Sequence, residues 1–263
     1  MNELEQRMLD LLQEGKEKYG YLGVKAEFEA EGTRHDELLR LAEITRRAGL
    51  NIGLKIGGCE AVTDLLASKQ VGGDYIIAPM VESSYALSKY IDAKNKIYSD
   101  FEKKQVKFLF NVETELTFRN IDSIIACAKE DKGADGIVFG RGDYALSKGY
   151  SRNDILIDEV TNDCIEIARL CKENSLEFVV GGAVAQDSIP ILKRIKDVHL
   201  TRFETRKIIF SSDVLSSNNA VEQGIKDALM FELLWLQNKR NYYSLIEKED
   251  IQRITTLEKR LTV

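Results

Sequence analysis

Short β-branched or aromatic runs alternate with longer helical patterns from residue 20 to about 210, and this order predicts a (β/α)8 barrel with an added C-terminal helical segment. Seven or eight such units in about 200 residues suit a closed barrel better than an open sheet. Polar residues and glycines recur wherever a candidate strand ends, as expected when the strands run parallel with right-handed crossovers. An open doubly wound sheet is the alternative, because one strand is weakly marked. No GxGxxG opens the first helix to support a dinucleotide fold.

Taken in order, MNELEQRMLDLLQEGKEKYG has an amphipathic helical pattern of mixed charge and predicts a helix within 1–20. It lacks the apolar core of a signal peptide. Strands are predicted at 23–28, 52–56, 75–78, 106–112, 136–139, 177–180 and 199–203, with an eighth at 207–210. Between them lie helical stretches such as HDELLRLAEITRRAG, SYALSKYIDAKNKIY and DEVTNDCIEIARLCKEN. The barrel is expected over 21–212 and helices over 213–263, all within one domain, 1–263. No linker divides the chain, and its only prolines are Pro79 and Pro190. The last segment clusters Met230, Phe231, Leu233, Leu234 and Trp235. That much apolar surface predicts packing on the barrel or on a neighbouring subunit, hence a homo-oligomer through the C-terminal helices.

Composition narrows the function. A net charge of −6 and a pI near 5.3 argue against nucleic-acid and anionic-membrane partners, which favour basic patches. No run approaches the length of a membrane span, so a cytoplasmic protein is expected. Four cysteines without a CxxC pair and only two histidines disfavour a zinc site and disulfides. A bound metal would take oxygen ligands, which points to magnesium or manganese.

The strand ends carry EFEAEGTR (Glu27, Glu29, Glu31, Arg34), LKIGG (Lys55), APMVES, NVETE, FGRGDY (Arg141, Asp143), VVGGAV and TRFETR. Glycines there can simply permit turns. Glu27 and Glu29 can equally be a structural ion-pair layer with Lys25 or Lys55, and Arg34 can pair within its own helix. His35 begins a helix, and His199 alternates with apolar residues. The run FNVETE is harder to explain blandly, because carboxylates are seldom buried without a partner. Glu115 suits the first turn of the next helix. Glu113 and Asp143, from adjacent strand ends, suit one hard cation with sites left open for water and substrate.

Taken together, PMVES, NVET, ADGIVFGRGDYALSKGY and VGGAV resemble the HpcH/HpaI aldolase/citrate lyase family of TIM barrels, in order, over roughly residues 25–205. The resemblance implies that Glu113 and Asp143 bind Mg2+ or Mn2+. It further implies that the backbone around Gly140, Arg141 and Gly142 contacts the carboxylate of a pyruvate-like substrate. Lys55 stands where the family commonly has an arginine, and Glu31 falls near the acid of an "EH" motif whose histidine is here Gly32. A lysine is a point charge rather than a planar fork. Arg141 occupies a position often proline or small in the family.

The expected function is a metal-dependent carbon-carbon lyase acting through an enolate on a 2-oxo acid or related small anionic substrate. Arg34, Lys55 and Arg141 would hold anionic groups, and Glu31 or Glu29 would serve acid-base work. One alternative makes Lys55 a Schiff-base nucleophile. Another is a non-catalytic binding or assembly barrel.

Overall fold

The computed structural model describes residues 1–151 and 153–262. Helix α1 (Glu3–Lys18) starts on Asn2, whose side chain accepts from the Glu5 N–H while the Glu5 carboxylate accepts from the Asn2 N–H. Six strand-helix units follow: β1 (Tyr21–Glu27) and α2 (His35–Arg47), β2 (Asn51–Lys55) and α3 (Val62–Val71), β3 (Tyr75–Ala78) and α4 (Ser84–Ile97). After these come β4 (Lys107–Val112) with α5 (Glu115–Arg119) and α6 (Ile121–Ala128), β5 (Gly136–Gly140) with α7 (Arg141–Ser147) and α8 (Asp158–Glu173), and β6 (Glu177–Gly181) with α9 (Ile189–Val198). The chain ends with β7 (Arg202–Glu204), β8 (Ile208–Ser211) and α10 (Asn218–Leu261). The eight strands close into one barrel in chain order, as the alternation predicts.

The eighth strand departs from the repeating unit. Strands β1 to β7 pair in parallel, but β8 is antiparallel to both β7 and β1. Only Thr205, Arg206 and Lys207 separate β7 from β8, and a parallel crossover needs a dozen or more residues. The chain therefore turns at the C-terminal mouth of the barrel and runs back down.

That reversal delivers the start of α10 to the opposite end of the barrel. Instead of several helices, the last segment is one helix of 44 residues, about 66 Å at 1.5 Å per residue. It packs along α1 and over the start of β1: the Tyr21 hydroxyl donates to Gly224 O at 2.6 Å, and Gly224 lies against Tyr19 and Phe210. Val221, Ile225, Ala228, Phe231, Leu234 and Trp235 are buried. The helix therefore packs on the body of the protein along its first half. Leu229 and Glu232 reach the mouth, and the stretch 244–262 beyond it is largely exposed.

The main apolar core lies between the strands and the surrounding helices. A small second core, Ile77, Leu109, Val138 and Val179 from four successive strands, fills one side of the barrel interior. The other side is filled by charged groups.

Candidate active site

The C-terminal mouth opens on a cavity of about 630 Å3, where barrels of this architecture carry their chemistry. Strand alternation builds its wall. Lys25 and Glu27 lie two apart on β1 and face the same way, and Lys55 at the end of β2 is in register with Glu27. Lys25 is ion-paired with Glu204 at the end of β7, and with Glu27 at 3.2 Å. Lys55 Nζ lies 3.0 Å from Glu29 Oε2 and 3.3 Å from Glu113 Oε2.

Glu113 follows the last residue of β4 and is 1% exposed. Its Oε2 accepts from Asn111 Nδ2 at 2.6 Å as well as from Lys55, and its Oε1 accepts from the Met80 N–H at 2.8 Å. Glu115, two residues on, belongs to the first turn of α5 and pairs with Arg119 at 2.7 Å on the surface. The run FNVETE therefore holds one buried acid and one surface acid, and the cation facing the buried one is Lys55.

Close approach of backbone shapes the same corner. A Cβ on Gly140 would stand 2.9 Å from Glu113 Cβ and 3.0 Å from its Oε2, so glycine is needed for the carboxylate to lie against β5. Gly182 has φ +80°, and a Cβ there would meet the Gly142 nitrogen at 2.6 Å. Met80 and Ala183 both line the cavity with φ near +50°, unusual for residues other than glycine, so the mouth also holds backbone strain.

Six carboxylates (Glu27, Glu29, Glu113, Asp143, Glu204 and Glu232) line the cavity with three cations, Lys25, Lys55 and Arg206. Burial opposes the charge of Lys55, but Glu113, Glu29 and Glu27 outweigh it and hold its pKa above the usual lysine value. Lys25 is likewise raised against its burial by Glu204 and Glu27. Burial also opposes ionisation of Glu27, yet Lys25 and Lys55 bring its carboxyl below the usual range.

The donor set suits a hard divalent cation. Asp143 is exposed on the first turn of α7 and lines the same cavity as Glu113. The Asn111 side-chain oxygen is buried with no hydrogen-bond partner among the described residues. An unsatisfied buried oxygen beside a carboxylate, in a cup where acids outnumber bases, fits magnesium or manganese. Among the described residues no group of three or more acids, histidines and cysteines forms a metal cage. Such an ion would keep positions for water and substrate.

The structure gathers Glu29, Lys55, Glu113, Gly140, Gly142 and Asp143 around the cavity, but it separates three other expected residues from it. Arg141 does not line the cavity. It is 1% exposed and donates to the Gly181 and Gly182 carbonyls at 3.3 and 3.0 Å and to the Ser188 hydroxyl at 3.2 Å. Gly140 and Gly142 face the cup, and the residue between them faces away and anchors the loop after β6. Arg34 is exposed at the N-terminus of α2, paired with Glu37 and stacked 4.7 Å over the Tyr243 ring of α10. A seven-residue loop carries it from β1 to the outer ring of helices. Glu31 sits in that loop, tied to Lys207 and, at 3.2 Å, to Arg206.

Sequence reasoning had not singled out Asn111 or Glu232. Asn111 was signalled by spacing, since two residues before Glu113 is the same face of the strand. Glu232 had no local signal, because only the reversal at β8 brings α10 to the mouth.

A closed barrel with an ion-paired cup at the strand C-termini defines the class: a TIM barrel with its candidate site in the usual place. Residues 57–183 match the model of the HpcH/HpaI aldolase/citrate lyase family, the one the motifs resemble. Solved structures share the fold. An HpcH/HpaI aldolase from Desulfitobacterium hafniense DCB-2 is 13% identical, with a TM-score of 0.59 over 83% of this chain and 87% of that one. An HpcH/HpaI aldolase/citrate lyase family protein from Burkholderia cenocepacia J2315 is 14% identical, with a TM-score of 0.59 over 87% of this chain and 99% of that one. The citrate synthase SbnG is 15% identical, with a TM-score of 0.57 over 75% of this chain and 81% of that one. No curated protein matches the chain.

Proposed function

We propose that this chain is a carbon-carbon lyase of the aldolase type, acting on a 2-oxo acid or related anionic substrate through an enolate. The family match supports lyase-type chemistry. The observation that carries the finer reading is the buried Glu113 carboxylate beside the unsatisfied Asn111 oxygen at the wall of the cavity. Glu113 and Asp143 would hold Mg2+ or Mn2+, which supplies a Lewis acid for the negative charge that develops on the substrate oxygen. Lys55 presents an ammonium to the substrate anion. Its ion pairs with Glu29 and Glu113 hold it in place. Gly142, where a Cβ would meet nothing within 4 Å, lets the substrate carboxylate approach the main chain.

The test is turnover of 4-hydroxy-2-oxo acids with and without Mn2+, alongside calorimetric titration of Mn2+ followed by oxalate. Binding of both and metal-dependent cleavage are expected. Absence of both binding and turnover would leave a non-catalytic barrel. Borohydride added during turnover is expected to trap no covalent adduct. A Schiff-base lysine needs a depressed pKa, and the carboxylates around Lys55 push the other way. A reduced adduct on Lys55 would refute the metal reading.

The distal part of α10 supports self-association. Leu245 is 68% exposed, and Ile251, Ile254 and Leu257 are each about half exposed on a helix that has left the barrel. Removing residues 244–263 is expected to lower the oligomeric state in multi-angle light scattering while leaving the barrel's circular dichroism melt intact. An unchanged mass would exclude this surface as the interface.

A further inference from the structure

We propose that Glu232, brought to the mouth by α10, is the group that takes and returns the proton in the carbon-carbon cleavage, an inference that rests on the lyase reading above. Cleaving a 4-hydroxy-2-oxo acid requires removal of the proton from its C4 hydroxyl. As that O–H electron pair becomes the aldehyde C=O, the C3–C4 bond breaks and its pair forms the enolate. The same proton, returned to C3, completes the pyruvate-like product, so atoms and charge balance without an external co-reactant.

The cup holds few groups able to do this. Lys25 and Lys55 are kept charged by their carboxylates. Glu27 and Glu204 are paired with Lys25, Glu29 with Lys55, and Glu113 accepts from three donors. Asp143 is exposed and is assigned above to the metal. Neither histidine lines the cavity: His35 is exposed beside the Phe28 ring, and His199 Nε2 bonds the Leu176 carbonyl at 2.9 Å. Glu232 alone among the six carboxylates is both partly buried and loosely held, its nearest cation contact being Arg206 Nε at 4.0 Å. Leu229, one turn earlier on α10, lines the cavity beside it.

The charges facing Glu232 are Arg206 and Lys207 from the β7–β8 turn, Glu31 from the loop after β1, and Glu27 at the end of β1. Burial raises its pKa, Glu31 and Glu27 add to the rise, and the two cations oppose it without cancelling it. A carboxylate with a raised pKa is a better base near neutral pH than a solvated one. Its placement on α10 lies outside the segment 57–183 that matches the family.

The full-length protein loaded with Mn2+ tests this through the pH dependence of cleavage. Wild-type kcat is expected to fall as pH drops through the Glu232 pKa, because the base becomes protonated. Glu232→Gln is expected to lose about 100-fold or more in kcat and to lose that acid limb. Mn2+ and oxalate affinities should stay within about twofold, since no contact to either is removed. Glu232→Asp should restore part of the rate together with the limb. Carbon-13 NMR of labelled glutamates, with the Glu232 signal assigned by its loss in Glu232→Gln, should show a midpoint above that of a free carboxyl. Wild-type turnover with an unaltered rate and acid limb in Glu232→Gln would overturn this assignment alone. Absence of wild-type turnover on any 2-oxo acid would overturn the lyase reading and this one with it.

Discussion

Lys25→Met is expected to destabilise the barrel by about 3–5 kcal/mol, lowering the melting temperature by on the order of 10 °C. Lys25 is 8% exposed and is the cation between Glu27 and Glu204, which are 9% and 5% exposed. Methionine matches much of its volume but leaves two carboxylates buried without that partner, and an uncompensated buried charge costs more than the pair contributed. The pH dependence gives a second signature. In the wild type Glu27 has a depressed pKa, so its contribution to stability is present above the ordinary carboxyl value and is lost as pH falls through the folded value. In Lys25→Met the burial of Glu27 is no longer offset by Lys25 and its pKa should rise, so mild acid should relieve part of the deficit. Thermal melts of both proteins from pH 7 to pH 4.5 check the sign. A variant that melts like the wild type at pH 7 would show that this ion-pair layer is not structural.

The largest effect on activity is expected at the wall opposite. Glu113→Gln keeps the shape and lets Lys55 retain Glu29, so the fold should survive. It removes the one anionic oxygen set that is buried at the cavity wall next to Asn111. A metal acting as Lewis acid contributes several kcal/mol to the transition state, so turnover should fall by about 1,000-fold or more, with Mn2+ binding lost in calorimetry. Asp143→Ala should weaken Mn2+ binding as well, but with little change in the melt, because Asp143 is exposed. If both variants bind Mn2+ as tightly as the wild type, these two carboxylates are not the ligands.

Local sequence determined the order of elements, the strand-helix alternation that predicts a barrel, and the gathering of polar residues at one end of the strands. These rest on periodicities of 2 and 3.6 and on turn residues, all of which act over a few neighbours. The same local rules separate Glu113 from Glu115, because Thr114 caps α5 and puts the second acid in its first turn. Tertiary structure decided which charges meet. Lys55 reaches Glu113 across 58 positions, and Lys25 reaches Glu204 across 179, pairings fixed by barrel closure rather than by spacing. It also decided that Arg141 would be an internal anchor, because its neighbours Gly140 and Gly142 take the cup-facing positions. The three-residue turn before β8 was legible as a short connection, but its consequence was not. By reversing the last strand it sends α10 back to the mouth and places Glu232 over a cup whose charged residues run from Lys25 to Arg206, and no local pattern carries information over that distance.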